Sequence, residues 1–263
     1  MALFIATLFV FGLIVGSFLN VVILRFGFVE QARPRSGCPH CEGRLRWFEL
    51  VPVVSWLVLR GRCRRCGTGL SSQYPLVELA NGLLYLLAGL FYPPVLSVLG
   101  VASFALLLFC SSAFLLLVVY DLRHTLLPTR FLISFAAGVV ALRSLEAYTF
   151  KSWFIVSDAL LGALALAGFI GLVVLATRGR GMGVGDIYVA AVLGFFFGLF
   201  RGVEVLLMAF WIGALVGTAL IALKKKATMK TEVPFVPFLF AASLIGMYTH
   251  FSPLLFVSSL MAL

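Results

Sequence analysis

RGRGMGVGDIYVAAVLG, residues 178–194, sets glycines at Gly181, Gly183 and Gly185 just before Asp186 and then turns apolar. A carboxylate at the mouth of a hydrophobic segment is ordinary in water and costly in a bilayer, so its meaning depends on the surroundings. Those surroundings are apolar. Of 263 residues, 62% are hydrophobic and 11% charged, against roughly a quarter charged in a soluble domain; the mean hydropathy is +1.13. This composition excludes a soluble globule and predicts an all-α polytopic membrane protein. Apolar runs near the length of about 20 residues that a bilayer requires give eight helices, over 2–24, 74–92, 95–121, 127–146, 153–177, 186–200, 202–223 and 234–250. The sixth is short, and the tail 251–263 is too short to span alone. The first run has no basic start and no clear small-residue cleavage site, so it reads as a helix and not as a signal peptide.

The net charge is +10, a value that would suit nucleic acid if the charges were clustered for it. Their placement points to topology instead. Seventeen of the twenty basic residues fall in the segment 25–73 and in the connections after the third, fifth and seventh helices, the last holding Lys224, Lys225, Lys226 and Lys230. The alternate connections hold only Arg143, Lys151 and Arg201. Basic loops stay in the cytoplasm, so 25–73 and its companions are cytoplasmic and both termini face the other side. The same basic excess could favour anionic lipid headgroups.

Four of the five cysteines lie in the 25–73 loop as CPHC (Cys38, Cys41) and CRRC (Cys63, Cys66). Two such pairs can bring four thiolates into the tetrahedron that Zn²⁺ takes. Iron is the lesser alternative; two disulfides would need an oxidising compartment that the cytoplasm does not offer. Four protein ligands leave no open position for a reacting water, so the site is structural, and a metal staple suits a loop with little core of its own. His40 between two ligands reads as a bystander, and Cys110 in the third helix as packing.

The carboxylates at membrane depth are Glu78, Asp121, Glu146, Asp158, Asp186 and Glu204. The topology puts Glu146, Asp158 and Glu204 at the non-cytoplasmic ends of their helices, where an interfacial role suffices. Asp121 closes the third helix and Asp186 opens the sixth, so two carboxylates enter at one depth from different helices. Peptide hydrolysis by water uses such a pair: one ionised carboxylate takes a proton from water, while the other, protonated, hydrogen-bonds the scissile carbonyl. Dipoles favour charge on Asp186 at a helix start and disfavour it on Asp121 at a helix end, although Arg123 and His124 lie close enough in sequence to reverse this. The glycines permit positive φ and close approach of another backbone, where a substrate strand could pair. Each aspartate also has an ordinary reading, Asp186 as an N-cap and Asp121 as an interfacial helix-end charge. A dinucleotide-binding reading of the glycines fails, because no strand precedes them.

Several motifs in order resemble the bacterial type IV prepilin peptidases, membrane aspartic proteases of the GxGD class: GSFLNVVILR (16–25), CPHC, ELVPVVSWLVLRGRCRRC (49–66), LSSQYPLVE (70–78), DLRHTLLP (121–128), GMGVGD (181–186) and VPFVPFLF (233–240). The resemblance implies an endopeptidase that removes the short basic leader of type IV prepilins and type II secretion pseudopilins after a glycine, at the cytoplasmic face of the bacterial inner membrane. It further implies N-methylation of the new N-terminal residue with S-adenosylmethionine. On this reading Asp121 and Asp186 are the catalytic pair, Gly181, Gly183 and Gly185 form the active-site loop, and Cys38, Cys41, Cys63 and Cys66 hold zinc. The chain divides into a first helix (1–24), a zinc-binding domain associated with methylation (25–73) and a membrane-embedded peptidase domain (74–263). Tyr188 and Thr129 stand where the family often has Lys and Asp or Asn, which bears on substrate preference. The other classes in play are a proton-coupled transporter with the aspartates as relay and a scaffold docking partners through its zinc module. The transporter is disfavoured by carboxylates near one face and by the lack of repeat symmetry.

Overall fold

The computed structural model describes residues 1–26, 37–38, 40–179, 182–222 and 234–249. Gly181, the lysine-rich connection 224–230 and the apolar tail 251–263 lie outside them. The described chain is helical: α1 (Ala2–Arg25), α2 (Val54–Val58), α3 (Gln73–Phe91), α4 (Val98–His124), α5 (Thr129–Phe150), α6 (Phe154–Thr177), α7 (Val184–Phe197), α8 (Leu199–Ala222) and α9 (Val236–Tyr248). No strand occurs among the described residues, only two isolated bridges, Gly37 to Arg44 and Arg62 to Gly69. Six helices, α1, α3, α4, α5, α6 and α8, are long and apolar enough to cross a membrane. The sixth and eighth expected segments appear as the shorter helices α7, with 14 residues, and α9, with 13. At about 1.5 Å per residue each covers roughly 20 Å, less than the hydrocarbon thickness.

The chain forms two compact units, Met1–Pro94 and Val95–Leu263. In the first, α1 and α3 pack antiparallel. Asn20 Nδ2 donates to the Tyr74 carbonyl at 3.1 Å near one end, and Asn81 Nδ2 donates to the Gly12 carbonyl at 2.8 Å further along. The backbones meet at Gly16, where a Cβ would lie 2.7 Å from the Glu78 Cα. Small residues and buried amides join helices that gain nothing from hydrophobic exclusion in lipid.

In the second unit α4 is the most buried of the long helices, with α5 and α9 packed on it. The α4 helix begins later than expected because the Ser97 hydroxyl accepts the Gly100 N–H at 3.0 Å, an N-cap. It also ends later, running three residues past Asp121 until Thr125 adopts φ 49 and donates its N–H to the Asp121 carbonyl at 2.8 Å. Asp121 therefore sits within the last turn and does not close the helix. The α7–α8 break falls at Gly198 (φ 77), where the sequence reading had placed it at Arg201. Asp158 of α6 faces that break, and its Oδ1 accepts the Leu199 N–H at 3.2 Å. This carboxylate, read from sequence as merely interfacial, caps the first turn of α8.

Candidate active site and metal centre

Asp121 and Asp186 are both buried, at 6% and 8% exposure, and they lie near enough for their charges to interact. Three segments build the place. The first is the last turn of α4. The second is the start of α7, where Gly183 is the N-cap and Asp186 the third helical residue. Asp186 is therefore no N-cap, yet it does a cap's work. Its Oδ2 accepts the Gly183 N–H at 3.0 Å, and its own N–H donates to the Gly183 carbonyl at 3.1 Å. The third segment is the start of α9, from which the Val236 N–H hydrogen-bonds the Asp121 carboxylate. In the sequence, VPFVPFLF (233–240) serves only as a motif of resemblance, and Val236 has no role. Pro234 and Pro237 were the available signal, since proline favours a helix's first turn.

The glycines act differently from the expectation. Neither Gly183 nor Gly185 takes a positive φ. Gly185 instead makes room. A Cβ there would stand 2.7 Å from Leu127 Cδ1, so its absence lets the connection after Asp121 lie against the helix that carries Asp186. The helix dipoles also act otherwise than expected. With α9 presenting its N-terminus to Asp121, both carboxylates face helix N-termini, and the dipoles do not separate them. Each carboxylate accepts one backbone N–H, Asp186 from Gly183 and Asp121 from Val236; what sets them apart is that the second oxygen of Asp121, Oδ2, is buried with no partner.

The four cysteines of the loop converge. Their sulfurs all lie within 4.8 Å of one another, with Cys38 Sγ 3.8 Å from Cys66 Sγ and Cys41 Sγ 4.0 Å from Cys63 Sγ. A tetrahedron of Zn–S bonds of about 2.3 Å has edges of roughly 3.8 Å, so the donor set fits this ion. The two pairs share one local fold. The Cys38 N–H donates to Gly43 and the Cys63 N–H to Thr68, each five residues on. The Glu42 N–H returns to Cys38 and the Gly67 N–H to Cys63, each from four residues on. Hydrogen bonds with the Thr68 side chain and backbone pull the Cys66 thiol down to about 6. Cys41, which the Gly43 N–H pulls down, is carried up to about 11 by desolvation and its sulfur neighbours. A bound metal would displace the remaining protons.

The model of the bacterial peptidase A24 N-terminal domain matches residues 10–92, and that of the type IV leader peptidase family matches residues 108–218. A prepilin leader peptidase/N-methyltransferase of Bacillus subtilis is 34% identical over 91% of this chain and 92% of its own length. The chain belongs to the type IV leader peptidase family. Other relatives include a prepilin leader peptidase/N-methyltransferase of Myxococcus xanthus, 37% identical over 88% of this chain and 67% of its own. A type 4 prepilin-like proteins leader peptide-processing enzyme of Escherichia coli is 34% identical over 90% of this chain and 91% of its own length. No solved structure matches the chain. The N-terminal family model takes in both cysteine pairs, and the leader peptidase model takes in both aspartates.

Proposed function

We propose that this multi-pass membrane protein is an aspartic endopeptidase that removes the basic leader of type IV prepilins and type II pseudopilins, with Asp121 and Asp186 as its catalytic pair. The observation that carries the reading is the meeting of two buried aspartates from different helices in a chain whose relatives are prepilin leader peptidases. Asp186, ionised and held by the Gly183 N–H, takes a proton from water. The hydroxide attacks the scissile carbonyl carbon. Asp121 carries the shared proton on Oδ2, the oxygen without a partner, and gives it to the carbonyl oxygen. The tetrahedral intermediate then collapses: the leaving nitrogen takes the proton held by Asp186, the C–N bond breaks, and one hydroxyl of the intermediate returns its proton to Asp121, which restores the pair. The substrate's extended junction lies against Gly183 at the start of α7, where the backbone is open, since the space beside Gly185 is taken by Leu127.

The cysteine tetrad holds Zn²⁺, which folds the loop and takes no part in proteolysis. Methylation of the new N-terminus with S-adenosylmethionine is the second activity, supported by the relatives' names, and no residue is assigned to the donor. The enzyme works in the bacterial inner membrane with its aspartates toward the cytoplasm, as the basic loops favour. A proton-coupled transporter finds no support: both aspartates stand at helix ends, and the relatives named above are processing enzymes. The direct test is to incubate the purified protein with a pilin precursor and S-adenosylmethionine and to weigh the product. Loss of the leader and gain of one methyl group are expected. An unchanged precursor would reject the reading.

A further inference from the structure

Between the cysteine pairs the chain carries WFELVPVVSWLV (47–58), which the function above leaves unused. It forms a 3-10 turn over Trp47–Leu50 and then α2. The link is Val53, with φ 61 and ψ −51, and the Val54 N–H donates across it to the Pro52 carbonyl at 2.6 Å. This is a γ-turn of the rare positive-φ kind, centred on a β-branched residue that resists it. The Val53 N–H donates to Glu78 Oε2 at 2.7 Å. Glu78 is buried within α3 and also hydrogen-bonded by Ser17 of α1. With 19 residues, α3 is about 28 Å long and needs nearly all of that to cross the hydrocarbon. Glu78 lies about 7 Å along it, so the turn is tied down at the boundary between headgroups and acyl chains.

The same segment has two faces. Trp56 turns inward, its Nε1 donating to the Leu70 carbonyl at 3.4 Å and its ring lying against Gly61. Trp47, Leu50, Val51, Val54, Leu57 and Val58 follow one another at intervals of one or three residues, and all six are exposed, Trp47 by 80% and Val58 by 75%. An apolar patch of this kind marks an interaction surface. Arginines flank it on both sides, Arg44 and Arg46 before, Arg60, Arg62 and Arg64 after. Of the nearby acids, Glu49 is turned back to accept the Arg46 N–H at 2.6 Å.

We propose that residues 47–58 lie in the interface of the leaflet where α1 ends and α3 begins, their apolar face in the acyl boundary and the flanking arginines on anionic lipid headgroups. An apolar face with a tryptophan and a basic rim is the chemistry of an interfacial segment. The tie to Glu78 favours the bilayer over a protein partner, because it holds the patch at the bilayer's own level.

The test uses the full chain, zinc-loaded, in vesicles of phosphatidylcholine and phosphatidylglycerol whose acyl chains are brominated near the glycerol end. The Trp47 signal is the fluorescence difference between the wild type and Trp47→Phe. It should be quenched by brominated lipid roughly twofold more than by aqueous iodide, and less when phosphatidylglycerol is replaced by phosphatidylcholine. A Leu57→Glu/Val58→Glu variant that keeps its zinc should lose the lipid quenching. Quenching by iodide alone would overturn the proposal. So would a signal that answers to neither quencher, or one shielded only when a pilin precursor is added, which would make the surface a protein-docking site. Lipid quenching indifferent to phosphatidylglycerol would overturn the role given to the arginines.

Discussion

Gly185 matters through the side chain it lacks. Leu127, six residues beyond Asp121, occupies the space that a Cβ at Gly185 would need. Gly185→Val should force that connection away from α7 and part the two carboxylates. A displacement near 1 Å costs about a hundredfold in rate, so cleavage should fall by about that much or more. The Gly185→Ala variant should be milder, because Leu127 is flexible, and pairing it with Leu127→Ala should restore cleavage. Failure of that rescue, with both proteins folded, would show that Gly185 does something other than make room. Asp158 is the second residue whose role depends on a distant neighbour. As the cap of α8 it should stabilise the fold by about 1–2 kcal/mol, so Asp158→Ala should lower the thermal midpoint while sparing cleavage by the folded fraction. An unchanged midpoint would mean that the Leu199 contact contributes nothing. Both aspartates of the candidate pair were legible in the sequence, since each stands at a helix boundary beside turn residues. Leu127, Val236 and Asp158 were not, because each acts on a residue from another helix, and helical periodicity carries no information about which helices meet.

At the scale of elements, the apolar runs made all eight segments legible to within about four residues over their described parts. The break between the sixth and the seventh falls earlier than expected: α7 ends at Phe197 and α8 takes up Arg201 in its first turn, where Arg201 pairs with Glu204 at 3.2 Å. A lone arginine reads as a loop in sequence; paired within a helix it needs none. The cysteine pairs were legible from spacing alone, but their shared hydrogen-bond pattern was not. That pattern makes each pair a preformed half-site. Cys63→Ser should leave three sulfurs and reduce zinc from about one equivalent to well under half, with the loop becoming sensitive to protease. Chelation of the wild type should have the same effect on the loop. Full metal content in the variant, by elemental analysis, would contradict four-sulfur ligation.

At the scale of the whole molecule, the topology proposed from charge placement puts the basic loops on the cytoplasmic side, and with them the depth at which the chemistry would occur. A precursor with a basic leader and an apolar helix would be held by the same rule, leader inside and helix in the bilayer. Its junction then arrives at the level proposed for Asp121 and Asp186. Lengthening the leader should change cleavage little, whereas moving the junction four residues into the helix, about 6 Å, should abolish it. Equal cleavage of the deepened junction would refute the depth argument. The central claim is the requirement for both aspartates, and one assay tests it most directly: purified Asp121→Asn and Asp186→Asn proteins, each confirmed to hold zinc, given precursor and pre-cleaved pilin side by side. Each variant should lose precursor cleavage by roughly a thousandfold or more, while methylation of the pre-cleaved pilin persists, because methyl transfer needs no carboxylate pair. Near-normal cleavage by either variant would show that its aspartate is only a structural charge at the end of a helix.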